Sequence, residues 1–183
     1  MFQKKSKLKK VVSIVLALIF FITTFIIDSP NGVANVNAAG AGVKLQGHSQ
    51  NIGWHNGFVE NGVMTVGTEG QSLRLEAVKM KINYTNNGSG FFIQTGDYYA
   101  QNVNCNEWSG VIGTEGQSRP LYYVAIRLWG PIANEYDVVY RVHIQDYGWS
   151  DGWVKNGQLA GRPSEGKRVE KLQVKLVKKN SKF

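Results

Sequence analysis

The sequence predicts an all-β fold built from three copies of one unit. Beyond about residue 38 the chain is rich in Val, Ile, Tyr, Phe and Trp, with no long stretch of 3.6-residue hydrophobic period. Gly is frequent and Pro scarce, 21 against 4 in the 183-residue chain, as expected of many short strands joined by tight turns. The third observation is self-similarity. The frame H-x-Q-x-x-G-W-x-x-G-[FW]-V-x-N-G occurs at residues 48–62 and again at 143–157, and GTEGQS occurs at 67–72 and 113–118. The first spacing is 95 residues and the second 46, so the larger is close to twice the smaller. A repeat of about 46 residues with some four short strands, present three times, points to a pseudo-threefold β architecture. A β-prism-like arrangement is expected, because each unit ends in a long alternating strand able to complete its own small sheet. A β-trefoil is the alternative.

The N-terminal residues read as an address. MFQKKSKLKK carries five Lys and no acid, residues 11–27 are mostly apolar, and a polar stretch follows that ends in Val36-Asn37-Ala38-Ala39. That order of regions is a secretory signal peptide over residues 1–38, cleaved after Ala38 or Ala39. An uncleaved anchor is the rival, although seventeen residues lie at the short limit for a membrane span. The remainder, 39–183, is read as a single all-β domain with units at about 43–82, 83–130 and 136–178. Contact with membrane is expected only through the signal peptide before cleavage.

Each unit has a strand signal near its end. In the first, residues 74–82 alternate in their second half, with Val78, Met80 and Ile82 in phase. Leu121 to Leu128 serves in the second, with Val124, Ile126 and Leu128 inward, and residues 168–176 serve in the third. Asn61-Gly62 and Asn156-Gly157 are hairpin-type dipeptides. Residues 85–90 read as a loop between the first two units, and Gly130-Pro131-Ile132-Ala133-Asn134 as the link to the third. The middle unit is degenerate. An ungapped shift of 46 puts Gln94 at His48, Gly96 at Gln50, Ala100 at Trp54, Pro120 at Arg74 and Tyr122 at Glu76.

Two constellations are candidates for function. In residues 138–145, strand parity sets Tyr140, Val142 and Ile144 on one face and Arg141, His143 and Gln145 on the other. His143 and Gln145 therefore point outward beside Trp149, as His48 and Gln50 do beside Trp54. An imidazole, an amide and an indole on adjoining surface suit a sugar, whose ring stacks on indole while its hydroxyls bond the polar groups. These six are the candidate ligand-binding residues. The opposite reading makes the two Trp repeat-core residues. The second constellation is Arg74/Glu76 and Arg168/Glu170, which share parity with the core-facing positions and are expected to form an internal tie or to bond GTEGQS, itself read as a turn; Trp153 is a further structural or secondary candidate.

Other chemistry is thin. The sequence has no H-E-x-x-H, G-x-S-x-G or P-loop pattern, and its three His lack metal-ligand spacing. One acid per unit does not make a catalytic carboxylate pair. Neither a metal nor a cofactor is expected, and the chain is read as non-catalytic. Cys105 is the sole cysteine, so no intrachain disulfide can form, and a buried thiol is expected. From Lys155 onward nine Lys/Arg stand against Glu165 and Glu170. This is read as a solvated basic end, with contact to an anionic wall polymer as the sharper reading. Nucleic acid is a poor partner for an exported chain.

HSQNIGWHNGFVENG with GTEGQSLRLEAVKMKI, and YDVVYRVHIQDYGWSDGWVKNG with RVEKLQVKLVKK, resemble the ChW repeats of secreted Gram-positive proteins, the clostridial hydrophobic repeats with a conserved Trp. The resemblance spans about residues 43–178 and departs from the pattern in the middle unit, which lacks the Gly-Trp step, and at Gly161-Arg162-Pro163. It implies an extracellular or cell-surface protein that adheres to polysaccharide or to other proteins, and it brings no catalysis. The expected partner is therefore a glycan, or in the alternative a cell-surface protein in an assembly role.

Overall fold

Alternation of apolar and polar side chains lays down the long strands. The computed structural model describes residues 36–38, 40–149 and 151–180, all within one compact unit, 31–183. Apart from residues 36–38, the predicted signal peptide lies outside the described residues, as do the last three residues of the basic end. Along the chain run β1 (Val36–Ala38), β2 (Ala41–Ser49), β3 (Gly53–Asn56), β4 (Phe58–Glu60), β5 (Val63–Gly67), β6 (Leu75–Tyr84), β7 (Gly90–Thr95), β8 (Tyr98–Asn104), β9 (Ile112–Gly113) and β10 (Tyr123–Trp129). A single-turn helix α1 (Pro131–Glu135) precedes β11 (Tyr136–Ile144), β12 (Val154–Lys155), β13 (Ala160–Gly161) and β14 (Val169–Lys178). The protein is all-β, as the composition predicts. Helix α1 sits where a plain linker was expected; Pro131 suits a first helical turn, where its missing N–H costs nothing.

Burial follows parity. Val43, Leu45 and Gly47 of β2 face inward while Lys44, Gln46 and His48 are half-buried on the outer face. Tyr140, Val142 and Ile144 of β11 are buried, and Arg141 and His143 are half-buried. Val78, Met80 and Ile82 of β6 and Leu172, Val174 and Leu176 of β14 complete the same layer.

Three sheets result, with antiparallel pairing throughout. The first runs β1-β2-β6-β9 with β3 on β2, the second β13-β10-β7-β8, and the third β12-β11-β14-β5-β4. The repeat units do not each build a sheet of their own, and that expectation is corrected. The first sheet takes β9 from the middle unit, the second takes β13 from the third unit, and the third takes β4 and β5 from the first. The exchange rests on Gly67, Gly113 and Gly161, whose φ values are 101°, 120° and 132°. Each backbone lies flat against another unit's strand, and an added Cβ would strike the carbonyl oxygen of Glu170, Glu76 and Tyr122 respectively. The next residue donates its N–H to that same carbonyl: Thr68 to Glu170 at 2.9 Å, Thr114 to Glu76 at 3.0 Å and Arg162 to Tyr122 at 3.2 Å. The strands that each unit sends out thereby cover edges that would otherwise lie open.

Asn61-Gly62 joins β4 to β5 with φ of 50° and 75°, the signs of a type I′ hairpin turn. Asn156-Gly157 has the same signs, but its flanking strands β12 and β13 enter different sheets, so it is a crossing between sheets and not a hairpin. One cluster of buried side chains from all three sheets forms the core, including Leu45, Met80, Ile93, Ile126, Tyr140 and Val174. The Tyr140 hydroxyl accepts the Ile126 N–H at 3.0 Å and donates to the Gln158 carbonyl, tying β10 to the 158–160 segment. Cys105 lies within this core, where burial pushes its thiol up to about 11. An alkylating reagent at mildly alkaline pH is expected to label Cys105 only after unfolding; mass spectrometry showing prompt labelling of the folded protein would refute this.

Candidate functional site

The Gly-Trp step is a device for placing an indole opposite an imidazole. Residues 50–52 turn the chain with Asn51 at φ 63° and Gly53 at φ 78°, and β3 returns along β2 so that Trp54 pairs with His48 in register. Asp146 (φ 66°) and Gly148 (φ 64°) repeat the turn in the third unit. The rings meet edge to face, His48 and Trp54 at 5.7 Å between centroids and His143 and Trp149 at 5.4 Å. Neither Trp is in the core and neither is fully exposed; both are half-buried.

Glu76 and Glu170 complete these clusters, through a departure from parity. β2 pairs His48 with Ala77 and Ser49 with Leu75, so Glu76 is an unpaired extra residue; β11 pairs His143 with Lys171 and Ile144 with Val169, so Glu170 is its counterpart. A β-bulge of this kind re-aims a side chain. The expectation that both Glu point into the core is therefore corrected: the bulge turns each carboxylate to the side of the outward His. One oxygen of Glu76 accepts from Arg74 Nε at 2.7 Å and the other lies 2.9 Å from His48 Nδ1. One oxygen of Glu170 accepts from Arg168 Nε at 3.1 Å and Nη2 at 2.8 Å, and the other lies 3.2 Å from His143 Nδ1. Neither imidazole contact is an aligned hydrogen bond. Both carboxylates are nearly sealed, 2 % and 5 % exposed. The tie expected between Arg and Glu is present, with His as its third member.

Gln50 and Gln145 stand apart from these clusters. The strands end at Ser49 and Ile144, so both Gln lie in the turns, and strand parity no longer governs them. Their backbone N–H groups donate to Arg74 O and Arg168 O, each at 3.0 Å, which pins the turn over the ion pair. The amide side chains make no hydrogen bond among the described residues.

Each indole carries a cation over its ring. Lys79 Nζ lies 4.3 Å from the Trp54 ring centroid, and the Arg141 guanidinium lies 4.4 Å from that of Trp149 and 4.6 Å from that of Trp153. Lys175 Nζ is also 4.5 Å from Trp153. Trp153 is thus half of a two-indole setting for Arg141, which the repeat pattern alone did not disclose. Another unit adds to the third-unit cluster: Glu69, in the turn after β5, accepts from Trp149 Nε1 at 3.2 Å and from Lys171 Nζ at 3.1 Å. The Lys171 hydrogen bond, outweighing the opposing effect of burial, holds the Glu69 carboxyl below its usual range. Lys171 also reaches Glu60, 2.9 Å away. GTEGQS is the turn it was expected to be, yet in its first copy it supplies Glu69 to the neighbouring cluster, and Ser72 O accepts from Arg168 Nη2 at 3.1 Å.

In the middle unit the loop between β7 and β8 is one residue shorter. Gln94 therefore pairs with Tyr99, not with Ala100 as an ungapped alignment has it. Tyr99 is 60 % exposed, and Gln94 is bonded to the Tyr123 hydroxyl at 3.0 Å. An aromatic persists there without the ion-paired set.

His55 bonds Ser49 Oγ through Nε2 at 2.9 Å, and burial, as the largest influence, holds its pKa below the ordinary value. The unfolded chain thus takes up a proton here more readily than the folded one. Stability is expected to decline as pH falls from about 6.5 through the depressed folded value. His55→Gln should flatten that decline in urea midpoints measured between pH 5 and 7.5; an unchanged slope would refute the linkage. Among the described residues no group of three or more His, Cys, Asp or Glu could hold a metal ion, and no helix is long and apolar enough to cross a membrane. A depression of about 340 Å³ lined by Gly42, Asn83, Tyr84 and Asn106 lies at the far ends of β2 and β6, away from both clusters.

Fold and site together define an all-β repeat protein that sets two near-copies of a Trp–His–Glu–Arg cluster on two different sheets. The family model described as Clostridial hydrophobic W matches residues 48–83 and again 143–178, and the chain carries two repeats of that family. Each match opens on the His of a cluster and runs to the end of the strand that bears the bulged Glu. No curated protein and no solved structure matches the chain.

Proposed function

We propose that the protein is a secreted, non-catalytic binding module that recognises glycan at the cell surface or in its surroundings. The observation that carries this reading is the duplication: the same half-buried cluster stands on two sheets, and weak contacts made twice gain through multivalency. The state of the carboxylates supports a non-catalytic role. Glu76 and Glu170 are each paired with an Arg and nearly sealed from solvent, so neither presents an open face to a bound substrate. The three sheets with mutually exchanged strands support a β-prism-like arrangement over a trefoil barrel. Binding is to be tested on an array of neutral and acidic glycans, followed by Trp149→Ala and Trp54→Ala. Each variant should weaken binding, and the pair together should remove most of it. A folded protein that binds no glycan on the array would refute the proposal.

A protein-assembly role draws support from β4, the edge strand of the third sheet, where Phe58 and Val59 are 44 % and 43 % exposed. A stoichiometric protein partner, captured from culture supernatant and insensitive to added sugars, would favour it.

A further inference from the structure

The cations of the two outer faces are unequally matched. Around the third-unit cluster every nearby carboxylate already has a partner: Glu60 and Glu69 on Lys171, Glu170 on Arg168 and His143, Asp137 on Lys155, and Asp151 on Arg162. Arg141 and Lys175 enter none of the ion pairs among the described residues. Arg141 spends only its Nε–H, on Gln173 Oε1 at 2.8 Å. Its two terminal nitrogens have no acceptor among the described residues and are not sealed from solvent. Trp149 and Trp153 hold the guanidinium in place, which removes much of the entropic cost that a long side chain normally meets on binding.

The first sheet repeats the imbalance with different residues. Lys44 and Lys81 face each other directly across β2 and β6, and Lys79 stands over Trp54; none of the three enters an ion pair among the described residues. Like charges directly opposite on one sheet face are destabilising, and a bound anion between them would reverse the sign of that interaction. Lys81 and Lys175 occupy corresponding places in β6 and β14. Two faces of one molecule, each built around Trp, thus present cations that no carboxylate among the described residues satisfies.

We propose that the glycan bound at these faces is acidic and carries its charge as carboxylates, with Arg141 and Lys175 as the principal anchors on one face and Lys44, Lys79 and Lys81 on the other. A carboxylate is planar and meets the open edge of a guanidinium in two parallel hydrogen bonds, which suits a fork held against flat indoles. The inference rests on the glycan-binding reading above and gives it a chemical class.

The test is calorimetric titration of the full chain with oligomers of a polyuronate, the same oligomers fully methyl-esterified, and inorganic polyphosphate, at low and high salt. The polyuronate is expected to bind about tenfold or more tightly than its ester, and to weaken as salt is raised. Arg141→Gln and, separately, Lys175→Gln should each weaken polyuronate binding about tenfold. Arg141→Lys, which keeps the charge and loses the fork, should still weaken it severalfold. Thermal melting establishes that each variant is folded, and Lys175→Gln serves where Arg141→Gln is not. Equal binding of acid and ester would overturn the inference while leaving glycan recognition in place. Binding of polyphosphate in preference to polyuronate would overturn the carboxylate assignment, and so would binding of neither sugar polymer, whereas glycan recognition itself stands or falls on the array.

Discussion

Gly113→Ala is expected to destabilise the protein by about 3–5 kcal/mol, the sum of an unfavourable positive φ and a collision that rigid backbone cannot relieve. The φ is 120°, and the new Cβ would meet the carbonyl oxygen of Glu76 and, at 2.9 Å, the Cα of Ala77. Neither is the far end of a flexible side chain, so relief requires β9 to move off β6. That movement would also take the Thr114 N–H from the same carbonyl. Gly67→Ala and Gly161→Ala should behave alike, since both make the same approach to another unit's strand. By contrast Gly53, Gly62 and Gly70 have positive φ and open space within 4 Å of where a Cβ would stand, and Ala there should cost about 1 kcal/mol. Thermal melting of the two sets side by side decides the matter. For a domain of this size the first set should lose some 10 °C or more and the second only a few. Equal losses would show that conformational strain, not the close approach between units, governs these positions.

Glu76→Ala is expected to cost about 2–3 kcal/mol. Breaking a fully buried pair costs about 3–5 kcal/mol, and the figure is reduced here because Arg74 and His48 keep 20 % and 15 % of their side chains exposed. The loss arises mainly from what remains: an Arg74 guanidinium over a buried bulge with no counter-charge. Removing Arg74 together with Glu76 should therefore cost less than the sum of the two single changes, and a double-mutant cycle in urea gives the coupling directly. The middle unit makes the same argument in its natural sequence. With Pro120, Tyr122 and Gln94 in place of the ion-paired set it still receives β13 at Tyr122 and Tyr123. The carboxylate is thus required by its partners and not by the fold. Strict additivity in the cycle would refute that view.

The legible part of the structure was whatever depends on local pattern. Alternation placed Tyr140, Val142 and Ile144 in the core and His143 outside it, because side-chain period in a strand is a local property. The repeated Gly-Trp step disclosed two clusters, because a positive-φ Gly and a following aromatic leave a mark in the letters. Bulges leave none. An extra residue at Glu76 or Glu170 looks like any other strand residue, so period-two counting sent both carboxylates to the wrong face. Sheet membership was also hidden, since nothing in residues 58–67 says whether they pair within their own unit or with β14. Glu69 lies in a turn, as GTEGQS implies. Its bond to Trp149 depends on two segments 80 residues apart in sequence. Arg141 lay on the outward face by parity, but its two-indole setting needed the 149–153 loop folded over it.

The exchange of strands also dictates when the chain can fold. The third sheet is completed only when β5 meets β14, pairing Val66 with Leu172 and Met64 with Val174. These partners are more than 100 residues apart, so the contact carries a large loop-closure cost and comes late in folding. During synthesis, β4 and β5 have no sheet to join until β14 has been made. A ChW repeat cut out alone would likewise leave strands unpaired. The third sheet is therefore expected to close last, in a step that waits for β14, after the strands of the first sheet are all available.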